Sequence, residues 1–150
     1  GPPDKQIAAQ IEAMISRSSV TIQDMGKTHV LKNTIPLPRR AVSLTDIASF
    51  THHTGREVAV FRHAGTRYMS LGGTKSVKVP YESRVLLHTH PNGLLRFSEA
   101  DALFFGKKVT QSINPQYSTL IGGGNNAWRR ISVVDEVKRK FPDFKGDMFL

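Results

Sequence analysis

At 150 residues and 39% hydrophobic content, the chain is long enough for one globular domain with a real core, too short for two, and without an apolar run near the length of a membrane span. It has no cysteine, which excludes disulfides, thiolate metal sites and cysteine nucleophiles, so any metal must be held by histidine and carboxylate. A formal charge of +9 points to an anionic partner (DNA, RNA or an acidic protein), but the basic groups Arg39-Arg40, Lys107-Lys108, Arg129-Arg130 and Lys138-Arg139-Lys140 are spread along the chain, and each alone reads as a solvated face.

The opening Gly1-Pro2-Pro3 has the look of an expression scar or a cut linker rather than a targeting segment, and on the second reading the chain is a fragment of a longer protein. Asp4 is a helix N-cap, and Ile7, Ile11, Met14 and Ile15 follow at helical spacing, which predicts a helix over 4–17. Val20-Thr21-Ile22 and Thr28-His29-Val30-Leu31 flank Met25-Gly26 as a hairpin, after which Pro36 and Pro38 break the chain. A second helix starts at Ser43 or Thr45 and ends before Gly55. Strands are expected over Glu57 to Arg62, Arg67 to Leu71 and Ser83 to His88, the first two joined by a turn at Ala64-Gly65-Thr66. Val85-Leu86-Leu87 is a continuous apolar run, the mark of a buried central strand. A helix from Ser98 to about Thr110 carries Leu103 and Phe104 on one face. A last hairpin pairs Tyr117 to Ile121 with Ala127 to Val134 around Gly122-Gly123-Gly124-Asn125-Asn126, and the tail from Asp135 is partly helical at best. Segregated helices beside a mixed, mainly antiparallel sheet make one α+β domain over 1–150.

Residues 88–101 read HTHPNGLLRFSEAD. His88 and His90, two apart at the end of a strand, project to the same side. A helix beginning near Ser98 can return the Asp101 carboxylate to the same point. Two nitrogens and one oxygen leave a fourth tetrahedral position for water, the pattern of catalytic rather than structural zinc. The alternative is a pair of ordinary histidines followed by a capping box, Ser98-x-x-Asp101.

Such a centre needs a general base, and the chain has five glutamates. Glu12 belongs to the polar face of the first helix. Glu82 lies six residues before His88, about 20 Å along a strand. Glu99 is rotated off the Asp101 side of its helix, and Glu136 belongs to the tail. Glu57, opening a strand after a glycine turn, can reach His88 across the sheet and is the best candidate; the alternative is an exposed carboxylate at a strand start.

These residues resemble the motif of the JAMM (JAB1/MPN/Mov34) metalloproteases: H-x-H, seven intervening residues, S-x-x-D, and an upstream glutamate, here His88, His90, Ser98, Asp101 and Glu57. The resemblance covers about residues 43–134 and leaves the N-terminal helix and hairpin, 4–35, outside it. It implies a JAB/MPN-like, cytidine-deaminase-like sandwich in which His88, His90 and Asp101 bind Zn2+, Glu57 is the base and Ser98 helps hold the oxyanion. Leu86 stands where the eukaryotic deubiquitinases carry an aromatic residue, Thr89 is a mild departure, and the short Glu57–His88 stretch leaves little room for ubiquitin-gripping insertions. The chain is closer to compact bacterial JAB-like domains at the C-termini of RHS and other polymorphic toxins, which often show HTHP followed by Phe-Ser-x-x-Asp, here Phe97 to Asp101.

The resemblance therefore implies a zinc hydrolase of peptide or isopeptide bonds in a protein, peptide or ubiquitin-like substrate. It also implies a toxin or effector warhead, delivered into a target cell's cytoplasm as part of a larger secreted protein and neutralised by an acidic immunity protein. The charge keeps open a zinc-dependent nuclease acting on nucleic acid; a non-catalytic scaffold has no physical need for an open metal site. His52-His53 reads as a helix C-terminal cap, His29 and His63 as structural, Trp128 as packing in its hairpin, and Pro91-Asn92-Gly93 as a turn walling the substrate groove.

Overall fold

The computed structural model describes residues 4–109, 117–122 and 127–145. Its elements are α1 (Lys5–Ile15), β1 (Ser19–Asp24), β2 (Lys27–Lys32), β3 (Thr34–Pro36), α2 (Leu44–Thr54), β4 (Val58–His63), β5 (Thr66–Leu71), β6 (Arg84–His90), α3 (Glu99–Val109), β7 (Tyr117–Gly122), β8 (Trp128–Ser132) and α4 (Val133–Lys140). Local chemistry accounts for most of the boundaries. The Asp4 carboxylate accepts the backbone N–H groups of Gln6 and Ile7 at 2.8 and 3.2 Å and starts α1. Ser43 and Asp46 form a reciprocal capping box at the start of α2, which stops at Gly55 in the left-handed region.

β1 and β2 form a separate hairpin; the other six strands make one sheet in the order β3-β5-β4-β6-β7-β8, antiparallel throughout except for the parallel pair β6–β7. The domain is thus α+β with a mixed, mostly antiparallel sheet. Ala8, Ile11, Ile47 and Phe50 of α1 and α2 pack with Val58, Val60, Met69, Leu87 and Ile121 on one face of the sheet. On the other, Phe105 of α3 and Val137 of α4 pack with Phe61, Val85, Leu120 and the hairpin residues Ile22 and Leu31.

Several expectations are corrected. Pro36 does not simply break the chain: it closes β3, an edge strand, where the missing N–H costs no ladder bond. The last strand ends at Ser132, whose hydroxyl accepts the Asp135 N–H, and the chain turns directly into α4. On α3 the buried residues are Ala102, Phe105, Gly106 and Lys108, whereas Leu103 is exposed. Lys108 is fully buried, donates to the Ser83 carbonyl and lies 4.7 Å from the Phe104 ring centroid, and burial lowers its pKa to about 8. Trp128 is 55% exposed rather than packed in its hairpin. The glycine-rich turn 123–126, the expected end of α3 at Thr110 and residues 1–3 lie outside the described residues.

One irregularity positions the site. Val60 pairs with Leu87 and Phe61 with Val85, so Leu86 is an extra residue in β6. The bulge reverses the alternation across it. Val85 points to the α3–α4 face, Leu87 and Thr89 to the α1–α2 face, and His88 and His90 return to the α3–α4 face. Thr89, fully buried between the two histidines, fixes this phase. Its hydroxyl oxygen accepts from Thr51 Oγ1 at 2.7 Å and from the Val58 N–H at 2.9 Å, tying β6 to α2 and to the start of β4. Thr89→Val leaves both donors unpartnered in the core, at about 1–3 kcal/mol for each. Denaturant unfolding should show that loss, and Thr51→Val, which removes a donor and strands none, should cost less.

Candidate metal centre

β6 delivers two imidazoles to one side and the first turn of α3 delivers a carboxylate. His90 Nε2 lies 2.9 Å from Asp101 Oδ2, His88 Nε2 lies 3.3 Å from the same oxygen, and the two Nε2 atoms are 3.1 Å apart. For metal–ligand bonds of about 2.0–2.1 Å, a tetrahedral edge is about 3.3 Å. The triangle is therefore close to the size that one small divalent ion draws together. His88, His90 and Asp101 are the one group of three metal-type side chains among the described residues that could hold a metal ion.

Protonation makes the same point. A carbonyl only accepts, so the 2.8 Å contact between His90 Nδ1 and Leu94 O fixes the proton on Nδ1. Neutral His90 then turns the Nε2 lone pair towards a carboxylate oxygen and a second imidazole, an arrangement that requires a cation, either a proton or a metal. Burial opposes the charged form of His90, but Asp101 and the Leu94 carbonyl outweigh it and raise its pKa. Burial alone would push the Asp101 carboxyl up; hydrogen bonds from His88 and His90 and from the Ser98 N–H hold it well below the usual carboxylate range. The His88 ring lies 5.9 Å from Phe105 and 6.1 Å from Phe97, which sets its plane, and its Nδ1 has no hydrogen-bond partner among the described residues.

Ser98 and Asp101 form the capping box that was the alternative reading, in a position that also leaves Asp101 beside the two histidines. The Ser98 N–H donates to Asp101 Oδ2 at 3.0 Å, and Ser98 Oγ accepts the Asp101 N–H at 3.1 Å. The capping box is the device that orients the Asp101 carboxylate towards the two imidazoles. Ser98 itself is exposed, with its hydroxyl proton left for another acceptor. Glu57 stands immediately before β4 rather than within it, is buried rather than exposed, and lines the same cavity of about 880 Å³ as the three ligands and Ser98. Burial pushes its carboxyl up, and His88 and His90 offset part of that. Pro91 and Asn92 do wall the cavity. Behind them Gly122 sits opposite His90: a Cβ there would meet Gly93 O at 2.9 Å, so the close approach of β7 to this turn requires glycine.

Glu136, set aside in the sequence as a tail residue, is buried on α4 and clamps the segment that leads into α3. Its carboxylate accepts two bonds from Arg96, at 3.1 and 3.0 Å, one from Arg139 at 3.0 Å and one from the Phe97 N–H at 3.1 Å. Arg139 also donates to the Phe97 carbonyl at 2.9 Å. The Ser132-x-x-Asp135 spacing, with Val133, Val134 and Val137 at helical positions, was the signal that a helix begins there. The remaining histidines lie elsewhere: His52 and His53 in the last turn of α2, His29 exposed, and His63 buried with its Nε2 2.6 Å from the Gln23 carbonyl. No protein-family model, curated protein or solved structure matches the chain.

Against the cost of burial, hydrogen bonds from Arg96, Arg139 and the Phe97 N–H hold the Glu136 pKa at about 2, below its ordinary 4.5. A depressed carboxylate stabilises the fold above its unfolded pKa, and that contribution disappears as pH falls through the folded value. It amounts to about 2–3 kcal/mol once screening at the half-exposed Arg96 is allowed for. Glu136→Gln should accordingly be the less stable protein at neutral pH, with the difference closing between pH 4.5 and about 2. Urea unfolding of both proteins across that range measures it.

Proposed function

We propose that the protein is a zinc-dependent hydrolase of peptide or isopeptide bonds with a JAB/MPN-like site. The observation that carries this reading is the 2.9–3.3 Å triangle of His88 Nε2, His90 Nε2 and Asp101 Oδ2 in one cavity with a buried carboxylate, Glu57. The donor set favours zinc, since two imidazoles and one carboxylate with a free fourth position is its catalytic coordination. When bound, zinc supplies a Lewis acid and a water acidic enough to lose its proton near neutral pH.

The chain's own groups do the rest. Glu57, with its affinity for protons raised by burial, takes a proton from the attacking water and passes it to the leaving nitrogen as the C–N bond breaks. Ser98, whose oxygen already accepts the Asp101 N–H, turns its hydroxyl proton towards the oxygen that gains charge. Val77, Val79, Leu94 and Phe104 give the cavity an apolar wall for substrate side chains, and its volume is within the range of specific ligand sites. The motif resemblance supports a peptide or isopeptide over a phosphodiester and supplies the setting: a toxin or effector warhead restrained by an acidic immunity protein that its +9 charge would attract.

The purified chain should bind one zinc, and His88→Ala should weaken zinc binding and lower the melting temperature, because metal binding and folding are linked. Glu57→Gln should keep both zinc and fold yet lose activity on a peptide or polyubiquitin panel by about two to four orders of magnitude. Loss of zinc from Glu57→Gln would make Glu57 a ligand and sink the assigned role. Ser98→Ala should cost about 0.5–2 kcal/mol of stability as a lost cap and about 10²–10³ in rate as a lost oxyanion donor. In a bacterial host, growth arrest by the wild type but not by Glu57→Gln, with chromosomal DNA and RNA intact, tests the warhead role; DNA laddering that needs Glu57 and zinc would transfer the site to a nuclease.

A further inference from the structure

The basic residues that the sequence scatters are gathered by strand register. Arg62 on β4 pairs directly with Arg67 on β5 and with Arg84 on β6. Paired residues share a face, and these three lie on the same face as Val60 and Met69, the α1–α2 face, beyond the part those helices cover. At one side of the row Arg39 and Arg40 meet Arg67 around a hollow of about 520 Å³. At the other side, β7 presents Tyr117, 42% exposed, and β8 presents Arg130, whose guanidinium lies 4.3 Å from the Tyr117 ring centroid. Two residues from Arg130, Trp128 pairs with Ile121 and therefore faces the same way, 55% exposed. Arg129, between them, points to the opposite face and donates to the Leu95 carbonyl.

This arrangement works against folding. Like charges directly opposite on adjacent strands repel. Among the described residues, the ion pairs join Arg56 to Glu12, Arg96 and Arg139 to Glu136, and the two histidines to Asp101. None engages Arg39, Arg40, Arg62, Arg67 or Arg130, and the buried Nε of Arg67 has no hydrogen-bond partner there. Arg39, Arg40, Arg62, Arg67 and Arg130, held together without a carboxylate partner among the described residues, are a site for a polyanion. The exposed rings beside it select among polyanions: an acidic protein or a duplex offers no free π-face to Tyr117 and Trp128, whereas a single strand offers phosphates and unstacked bases together.

We propose that this face binds single-stranded nucleic acid, with phosphates on the arginine row and bases on Trp128 and Tyr117. The site is separate from the metal centre. It lies on the opposite face of the sheet: Arg84, which opens β6, is about 20 Å from His90 at strand rise, and Arg130 and Trp128, level with Leu87 and Thr89 across β7, face away from the histidines. The proposal therefore stands whether or not the metal centre hydrolyses peptides.

Trp128 is the only tryptophan, so its emission reports the site directly. Titrating the full chain at low salt with an unlabelled oligothymidylate of about 12 nucleotides, within the span of single-domain sites, should quench that emission to saturation. Anisotropy of the labelled strand should show Trp128→Ala weakening binding about tenfold. Arg62→Glu with Arg67→Glu should weaken it further and reduce the slope of log K against log salt by about 1.4, at about 0.7 for each lost contact. Arg62→Gln with Arg67→Gln repeats the test with a milder change should the glutamate pair misfold. Lys27→Glu with Lys138→Glu, of equal charge change on exposed residues elsewhere, should do much less. Equal loss from that control pair, an absence of quenching, or polyglutamate binding as tightly as the oligonucleotide would overturn the proposal, the last in favour of an acidic protein partner.

Discussion

Asp101 Oδ2 receives three hydrogen-bonding groups at once: His90 Nε2 at 2.9 Å, His88 Nε2 at 3.3 Å and the Ser98 N–H at 3.0 Å. The last of these is a helix cap, so the start of α3 and the convergence of the two imidazoles are one event. The His90 Nδ1 proton is committed to the Leu94 carbonyl, so neutral His90 turns a bare Nε2 lone pair on the Asp101 carboxylate 2.9 Å away. Without a shared cation the cluster would be a buried repulsion, and a repulsion of that kind costs several kcal/mol in a low-dielectric setting. The geometry is an electrostatic demand that either a proton or a metal meets. One metal ion would meet it from all three sides at once.

The surrounding fold keeps that demand from relaxing. Rotating His90 away would break its bond to Leu94, and moving the turn it belongs to is resisted where Gly122 and Gly93 approach in backbone contact. Retreat of α3 is resisted by Glu136, which holds Arg96 and Phe97 immediately before the capping serine. A slip of β6 would put Thr89 where the histidines are and expose the Val58 N–H and the Thr51 hydroxyl. Preorganisation of this sort, with ligand rotamers fixed by packing and by outer hydrogen bonds, is what a catalytic constellation requires.

The convergence of His88, His90 and Asp101 is legible because every part of it is local. Two positions on a strand and three on a helix turn have fixed geometry, so His88-x-His90 and Ser98-x-x-Asp101 could be read without knowing the fold. Glu57 was reached by elimination along the chain, and the helix starts at Asp4 and Ser43 carried their own caps. What escaped depends on partners distant in sequence. The bulge at Leu86 exists only relative to β4, Glu136 matters only because α4 docks on the ligand loop, and Lys108 is buried because the segment around Ser83 covers it. A continuous apolar run hides a bulge, since either face accepts the residues. The arginine row was only partly visible for the same reason: Arg62 and Arg67 share a predicted hairpin, but Arg39 and Arg84 are far from them in the chain and join them only in the folded sheet.

That segregation of charge bears on the chemistry. A carboxyl pushed up by burial, as Glu57 is, loses the shift if cations gather beside it, and a chain of charge +9 has many to place. The charges that act on Glu57 are His88, His90 and Asp101. On the ligand side Arg96 and Arg139 are engaged by Glu136 and Arg129 by the Leu95 carbonyl, while Arg62, Arg67 and Arg84 lie on the opposite face of the sheet, at the end of β6 about 20 Å from His90 at strand rise. At that separation the row can attract a polyanion without altering the protonation of the buried carboxylate. One sheet thus supports two electrostatic environments that would defeat each other on a single face.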